Sequence, residues 1–171
     1  MVGRVWAVLA LFALLSGAMV MSVERAEAEE KAAASKADAI LGEWWTEKNE
    51  GRVLIKRDKD GSFHGLTTCC QHNNDPNNPK TDINNPNPKQ RGRSTTGIVI
   101  FWKLKYDPDD DEFTDGYVYN PRDGKTYRIE MKVLDAETLK IRGYMGISLL
   151  GQSQIWKRAH LKPGEGAAAR P

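Results

Sequence analysis

KTYRIEMKVL, the segment from Lys125 to Leu134, alternates in character residue by residue. Tyr127, Ile129, Met131 and Val133 fall on one side of an extended chain, and Thr126, Arg128, Glu130 and Lys132 on the other. A period of two is that of a strand with one face in a core and the other in water. Working outward, Asp135-Ala136-Glu137 supplies a turn into Thr138 to Tyr144, where Leu139 and Ile141 alternate with Lys140 and Arg142. Gly151 to Lys157 reads as the last strand. Upstream, Asn120 to Gly124 is a turn behind a strand from Glu112 to Tyr119, and the acidic turn Asp107 to Asp111 precedes it. Gly97 to Tyr106, Ser62 to Cys70, Arg52 to Arg57 and Leu41 to Glu47 are the remaining extended runs. Asp58-Lys59-Asp60-Gly61 and Lys48-Asn49-Glu50-Gly51 are turns between them.

No amphipathic helix of ten or more residues interrupts this series, so the expected class is all-β with eight strands. A chain of short strands must bury one face of each and dispose of its sheet edges. An eight-stranded up-and-down antiparallel barrel does both and has room for one small ligand. A two-sheet sandwich shares the same alternation and is the competing architecture.

One segment breaks the pattern. From Gln71 to Arg93 the chain is rich in Asn and Pro and almost free of apolar side chains. Pro76, Pro79, Pro86 and Pro88 exclude regular helix or central strand. The expectation is a long solvated loop between the third and fourth strands. Its Asp and Asn side chains lack the spacing of a calcium loop.

The N-terminus has the layout of an export signal. Arg4 provides a short basic region, residues 5–23 are almost wholly apolar, and Ala26-Glu27-Ala28 offers a small-x-small cleavage pattern. The expected parts are a signal peptide at 1–28, an Ala-rich leader at 29–40, a barrel domain at 41–160 and a disordered tail at 161–171. A cut after Ala18 and an uncleaved membrane anchor are the alternatives at the N-terminus. Cleavage after Ala28 would leave no membrane span and place the protein in the periplasm or outside the cell.

Charge and composition exclude several classes. The formal net charge is +2, with both signs interspersed and no basic cluster interleaved with aromatics, so nucleic-acid binding is not expected. Cys69 and Cys70 are adjacent, and a disulfide between neighbours closes only a strained ring. A buried thiol beside an exposed one, or a bond between chains, are the alternatives. His64 and His72 lie nearby without the spacing of a zinc site, so no metal is expected. His160 and the other two histidines have no nucleophile or carboxylate that the sequence places beside them. Neither an enzyme nor a cofactor is called for.

Several short motifs occur in order along the chain. They are Gly42-x-Trp44, Asn85-Pro86-Asn87-Pro88 with Arg91 and Arg93, Gly97, Gly116-x-x-Tyr119-Asn120-Pro121, and Gly124-Lys125-Thr126-Tyr127. Arg142-Gly143-Tyr144-x-Gly146 and Gly151-x-x-Gln154-x-Trp156-x-Arg158 complete the set. Together they resemble a family of small exported bacterial proteins classed as a domain of unknown function with a lipocalin-like, calycin-type barrel. The resemblance covers about Leu41 to Arg158. It implies that the indole of Trp44, following Gly42, packs under Arg158 from the last strand and closes the barrel floor.

Two functional readings follow. In the first, the barrel holds a small apolar or amphipathic molecule in the cell envelope, and Trp102, Tyr117, Tyr119, Tyr127, Arg142, Tyr144 and Gln154 are the candidate contacts. An arginine with tyrosines could hold a carboxylate head in an otherwise apolar pocket. In the second, the domain binds another protein, as an envelope inhibitor or a secreted host-contact factor, through the Asn/Pro loop.

Overall fold

A computed structural model describes residue 21 and residues 23–69 and 81–160. The signal run up to residue 20, Cys70 and His72 with the first part of the Asn/Pro loop, and the 161–171 tail lie outside the described residues. The chain divides after Asp38 into two units. In the first, residues 23–38 are helical, across the expected cut after Ala28 and through the leader. Alanine, glutamate and lysine favour a helix there, and Arg25 pairs with Glu29 one turn on. Among the described residues no helix is long and apolar enough to cross a membrane.

The second unit is a closed eight-stranded barrel in which every strand pairs with its sequence neighbours and β8 returns to β1. The strands are β1 (Gly42–Trp45), β2 (Arg52–Arg57), β3 (Phe63–Cys69), β4 (Val99–Asp107), β5 (Glu112–Asn120), β6 (Lys125–Asp135), β7 (Thr138–Tyr144) and β8 (Gln152–Arg158). All pairings are antiparallel. Trp44 lies opposite Arg158 where the barrel closes, which removes the free edges a sandwich would keep. β1 is shorter than its apolar pattern implies, because the chain leaves the sheet at Thr46 for a short 3-10 turn at Glu47–Asn49.

The barrel has two unlike ends. At the end bearing the β2–β3, β4–β5 and β6–β7 turns, Trp44, Ile55, Phe63, Leu104, Phe113 and Met131 are buried and fill the interior. Glycines let aromatic and branched side chains settle directly on the opposite backbone. A Cβ at Gly65 would lie 2.0 Å from the Phe101 ring, and one at Gly116 would lie 2.7 Å from Ile129. The floor is pinned by Arg158. Its guanidinium lies 4.1 Å over the Trp44 ring, and Nη1 and Nη2 donate to the carbonyls of Leu41 and Ala39. Nε donates to the carbonyl of Ala136, and the Trp44 indole N–H donates to the carbonyl of Ile40. Gly42 has φ +112°, and a Cβ there would meet Arg158 Nη1 at 3.1 Å. Glycine at this position thus answers both a left-handed backbone and a close approach.

Candidate functional site

The other end of the barrel is hollow. A cavity of about 950 Å³ opens among the β1–β2, β3–β4, β5–β6 and β7–β8 connections. Its walls follow from strand alternation. Val53 faces Thr67 across β2 and β3, Val118 faces Tyr127 across β5 and β6, and Ile141 faces Gln154 across β7 and β8. Ile129 and Trp156 also border the space. Room is left where Val53, Thr67, Val118, Ile129, Ile141 and Gly143 stand, while the closed end holds the rings of Trp44, Phe63 and Phe113. At Gly143, opposite Ile129, an added Cβ would meet nothing closer than the Arg128 carbonyl at 4.0 Å. The inner wall is mainly apolar, whereas the rim carries Glu47, Lys48, Glu50, Arg52, Arg122 and Asp123, and Arg52 Nε is buried there without a hydrogen-bond partner among the described residues. Trp156 Nε1 donates to Gln154 Oε1 at 3.1 Å, and the Tyr127 hydroxyl donates to Asp123 Oδ2 at 2.5 Å. That bond, and then partial burial, raise the Tyr127 hydroxyl above its ordinary pKa.

The candidate contacts divide between the two faces of the barrel. Tyr127 and Gln154 border the cavity, with Tyr119 and Tyr144 at its rim. Burial pushes the Tyr144 hydroxyl up, reinforced by its hydrogen bond with Glu130, while Arg128 opposes the shift. Trp102, Tyr117 and Arg142 do not reach the cavity, because each occupies an outward position of its strand. Trp102 pairs with Tyr117 and stacks on it at 6.1 Å, with the Arg128 guanidinium 5.0 Å from the Tyr117 ring. Arg142 pairs with Glu130 and Ser153 and donates to the carbonyls of Ser148 and Leu149 and to Ser153 Oγ. Its guanidinium serves a backbone loop, and no carboxylate head in the cavity is within its role. Wall residues absent from the sequence-based set include Val53, Thr67, Val118, Ile129, Ile141 and Trp156, whose strand alternation is legible in the sequence while the hollow between them is not.

The Asn/Pro segment departs from the expected solvated loop. From Thr81 to Thr96 it is tied to the barrel rim. Asp82 is fully buried and Asn85 nearly so. Asp82 accepts from the Tyr119 hydroxyl at 2.6 Å, from Asn85 Nδ2 at 2.6 Å and from Arg93 Nη2 at 2.9 Å. Burial by itself pushes this carboxyl up, but the bonds from Tyr119, Asn85 and Arg93 outweigh it and hold Asp82 below the ordinary value. The same pair raises Tyr119, through burial first and the Asp82 bond second, to about 12. Arg91 Nε donates to the Asn85 carbonyl, and Asn84 Nδ2 to the Arg122 carbonyl in the β5–β6 turn. Polar composition here reflects a buried hydrogen-bond network and not only hydration.

Other titratable groups lie elsewhere. His64 Nδ1 is 2.8 Å from Asp58, and His160 pairs with Glu137, both at the closed end away from the cavity. Among the described residues no three His, Cys, Asp or Glu side chains converge as a metal site.

An eight-stranded up-and-down barrel, filled at one end and hollow at the other, is a lipocalin-like calyx. The chain belongs to the bacterial family DUF2147, described as an uncharacterized protein conserved in bacteria, whose profile matches residues 42–158. Among solved structures it is similar to protein HP1028 from the human pathogen Helicobacter pylori, reported to belong to the lipocalin family. The two share 25% identity with a TM-score of 0.62, covering 71% of this chain and 83% of that one. No curated protein matches the chain at a significant level.

Proposed function

We propose that the protein binds a small, largely apolar molecule in the open half of its barrel, and acts by binding and not by catalysis. The observation that carries this reading is the cavity of about 950 Å³ between walls of Val53, Ile129, Ile141 and Trp156. That volume is of the size of small-molecule pockets, and apolar walls with a few polar groups suit an amphipathic ligand. The similarity to a lipocalin-family protein supports the same reading. The apolar N-terminal run and Ala26-Glu27-Ala28 support an envelope or extracellular location. The competing protein-contact reading draws on the Asn/Pro loop, of which Asp82 and Asn84 are engaged by the barrel through Tyr119 and the Arg122 carbonyl.

Titration with 1-anilinonaphthalene-8-sulfonate, followed through probe fluorescence and quenching of Trp156, tests the proposal. Gly143→Phe places a ring in the hollow without requiring an unusual backbone, and is expected to weaken probe binding at least tenfold while leaving the fold intact. Unchanged binding in Gly143→Phe would place the probe outside the cavity and remove the support for this function.

A further inference from the structure

The connection between β7 and β8 presents large apolar side chains to water in a rigid frame. Met145 and Ile147 are 62% and 60% exposed, and Leu149 and Leu150 are 83% and 77% exposed. Soluble surfaces scatter such residues singly, whereas four within six positions form a patch that calls for a partner. The conformation does not come from packing of these side chains. Arg142 donates Nε to the Ser148 carbonyl at 2.7 Å and Nη2 to the Leu149 carbonyl at 2.9 Å. Ser148 Oγ donates to Glu130 at 2.7 Å, Gly146 has φ +76°, and a Cβ at Gly151 would lie 2.7 Å from the Gly143 carbonyl. The lip is therefore held in place by its backbone, with its apolar side chains exposed to water.

Its position narrows the choice of partner. Met145 and Leu150 also border the cavity, so apolar surface runs from the lip into the barrel interior. In the Asn/Pro loop, Ile83 is 67% exposed and borders the same opening. Charge is divided along the barrel axis. The turns of the closed end carry Asp58, Asp60, Asp109, Asp110, Asp111 and Glu137 against Lys59 alone. Among the described residues the mouth connections carry Lys48, Lys89, Arg91, Arg93 and Arg122 against Glu47, Asp82, Asp123 and Glu50, the last paired with Arg122. This separation turns the mouth toward a negatively charged surface and the closed end away from it.

We propose that the Met145–Leu150 lip, with Ile83, docks the open end of the barrel on an anionic lipid bilayer. Convex apolar tips beside basic residues suit shallow insertion between headgroups. Seated there, the mouth gives an apolar ligand a route into the barrel without passage through water. That use of the docking rests on the ligand-binding reading, but docking itself does not require it.

The test is flotation of the full chain with vesicles of phosphatidylcholine alone and with phosphatidylglycerol added. The N-terminal apolar run is common to every variant, so differences among them report the lip. Binding is expected to be stronger to the vesicles with phosphatidylglycerol and weaker in 0.5 M salt. Ile147→Asp/Leu149→Asp, at two lip positions that do not line the cavity, is expected to lower the bound fraction at least tenfold while anilinonaphthalene-sulfonate binding stays within twofold. Leu149→Trp is expected to add a fluorescence component that blue-shifts on vesicles and is quenched by brominated acyl chains. Equal flotation of the double variant, or no quenching of Trp introduced at 149, overturns the proposal. Conversion of a dimer to a monomer by the lip substitutions, with flotation unchanged, also overturns it and assigns the patch to a second copy. Loss of probe binding without loss of flotation would instead remove the cavity reading and leave the docking surface standing.

Discussion

The Tyr119 hydroxyl donates to Asp82 Oδ1 at 2.6 Å in a site where the carboxylate is fully buried. This bond joins the Asn/Pro loop to the fifth strand, and Asn85 and Arg93 take the other carboxylate oxygen. Removing one partner strands a buried acceptor, which costs about 1–3 kcal/mol. Tyr119→Phe and Asp82→Asn are each expected to fall in that range, with a double-mutant coupling of about 0.5–3 kcal/mol because the two share one network. The loss should be concentrated in the loop. Hydrogen exchange of residues 81–96 should accelerate more than that of the closed-end strands, and equal acceleration throughout the barrel would count against a local clamp.

The same carboxylate should give the loop an acid limit. Asp82 is held below its ordinary value of 3.8, so the folded state favours the ionised form. Its contribution is complete above the unfolded value and drains as pH falls through the lower folded value. Acid titration followed by hydrogen exchange in the loop should show opening below about pH 4. In Asp82→Asn this part of the pH dependence should disappear. Asp60, Asp123 and Asp135 are lowered as well and will keep some acid sensitivity in the barrel as a whole.

Gly124 sets how closely the loop lies on the β5–β6 turn. It has φ +70°, and a Cβ would fall 1.9 Å from the Asn84 carbonyl oxygen. A left-handed backbone costs a side chain about 1–2 kcal/mol, and the collision is with backbone and not with a flexible tip. Gly124→Ala is expected to lift the loop from the rim, seen as faster proteolysis between residues 81 and 96 with the β-sheet circular dichroism preserved. Proteolysis at the parent rate would mean that the loop is held without this contact.

How far the fold could be read in advance differs from element to element. β6 carries its own evidence, since Ile129 and Met131 are buried where alternation puts them. Barrel closure needed Trp44 opposite Arg158, a contact between the two ends of the domain that no local pattern encodes. The outward set of Trp102, Tyr117 and Arg142 shows why residue type is a poor guide to a cavity: an aromatic or arginine suits an outer-face stack as well as a pocket. Alternation next to Leu139 and Ile141 already placed Arg142 outside. The loop was opaque for another reason. Asn and Asp have the same composition signature in a hydrated loop as in a buried network, and only tertiary contact separates the two.

Arg158 offers the sharpest test of the closed end, because its cation–π contact and its hydrogen bonds can be separated. The guanidinium lies over Trp44 and donates to the carbonyls of Ala39, Leu41 and Ala136. Lysine keeps the charge but lacks the planar fork, so Arg158→Lys should retain part of the cation–π attraction and lose most of the carbonyl bonds. A cation over an indole is worth about 0.5–2 kcal/mol, and a charged hydrogen bond about 1.5–3 kcal/mol. Urea denaturation should therefore order the proteins parent, Arg158→Lys, Arg158→Ala, with the last destabilised by about 3 kcal/mol or more. Trp44→Phe keeps a ring but weakens the cation–π contact and loses the indole bond to Ile40, and should cost about 1–3 kcal/mol. Gly42→Ala should cost a similar amount through its strained backbone alone. If Arg158→Ala unfolds at the parent urea midpoint, the arginine is an ornament on a barrel closed by the apolar floor of Phe63, Leu104 and Phe113.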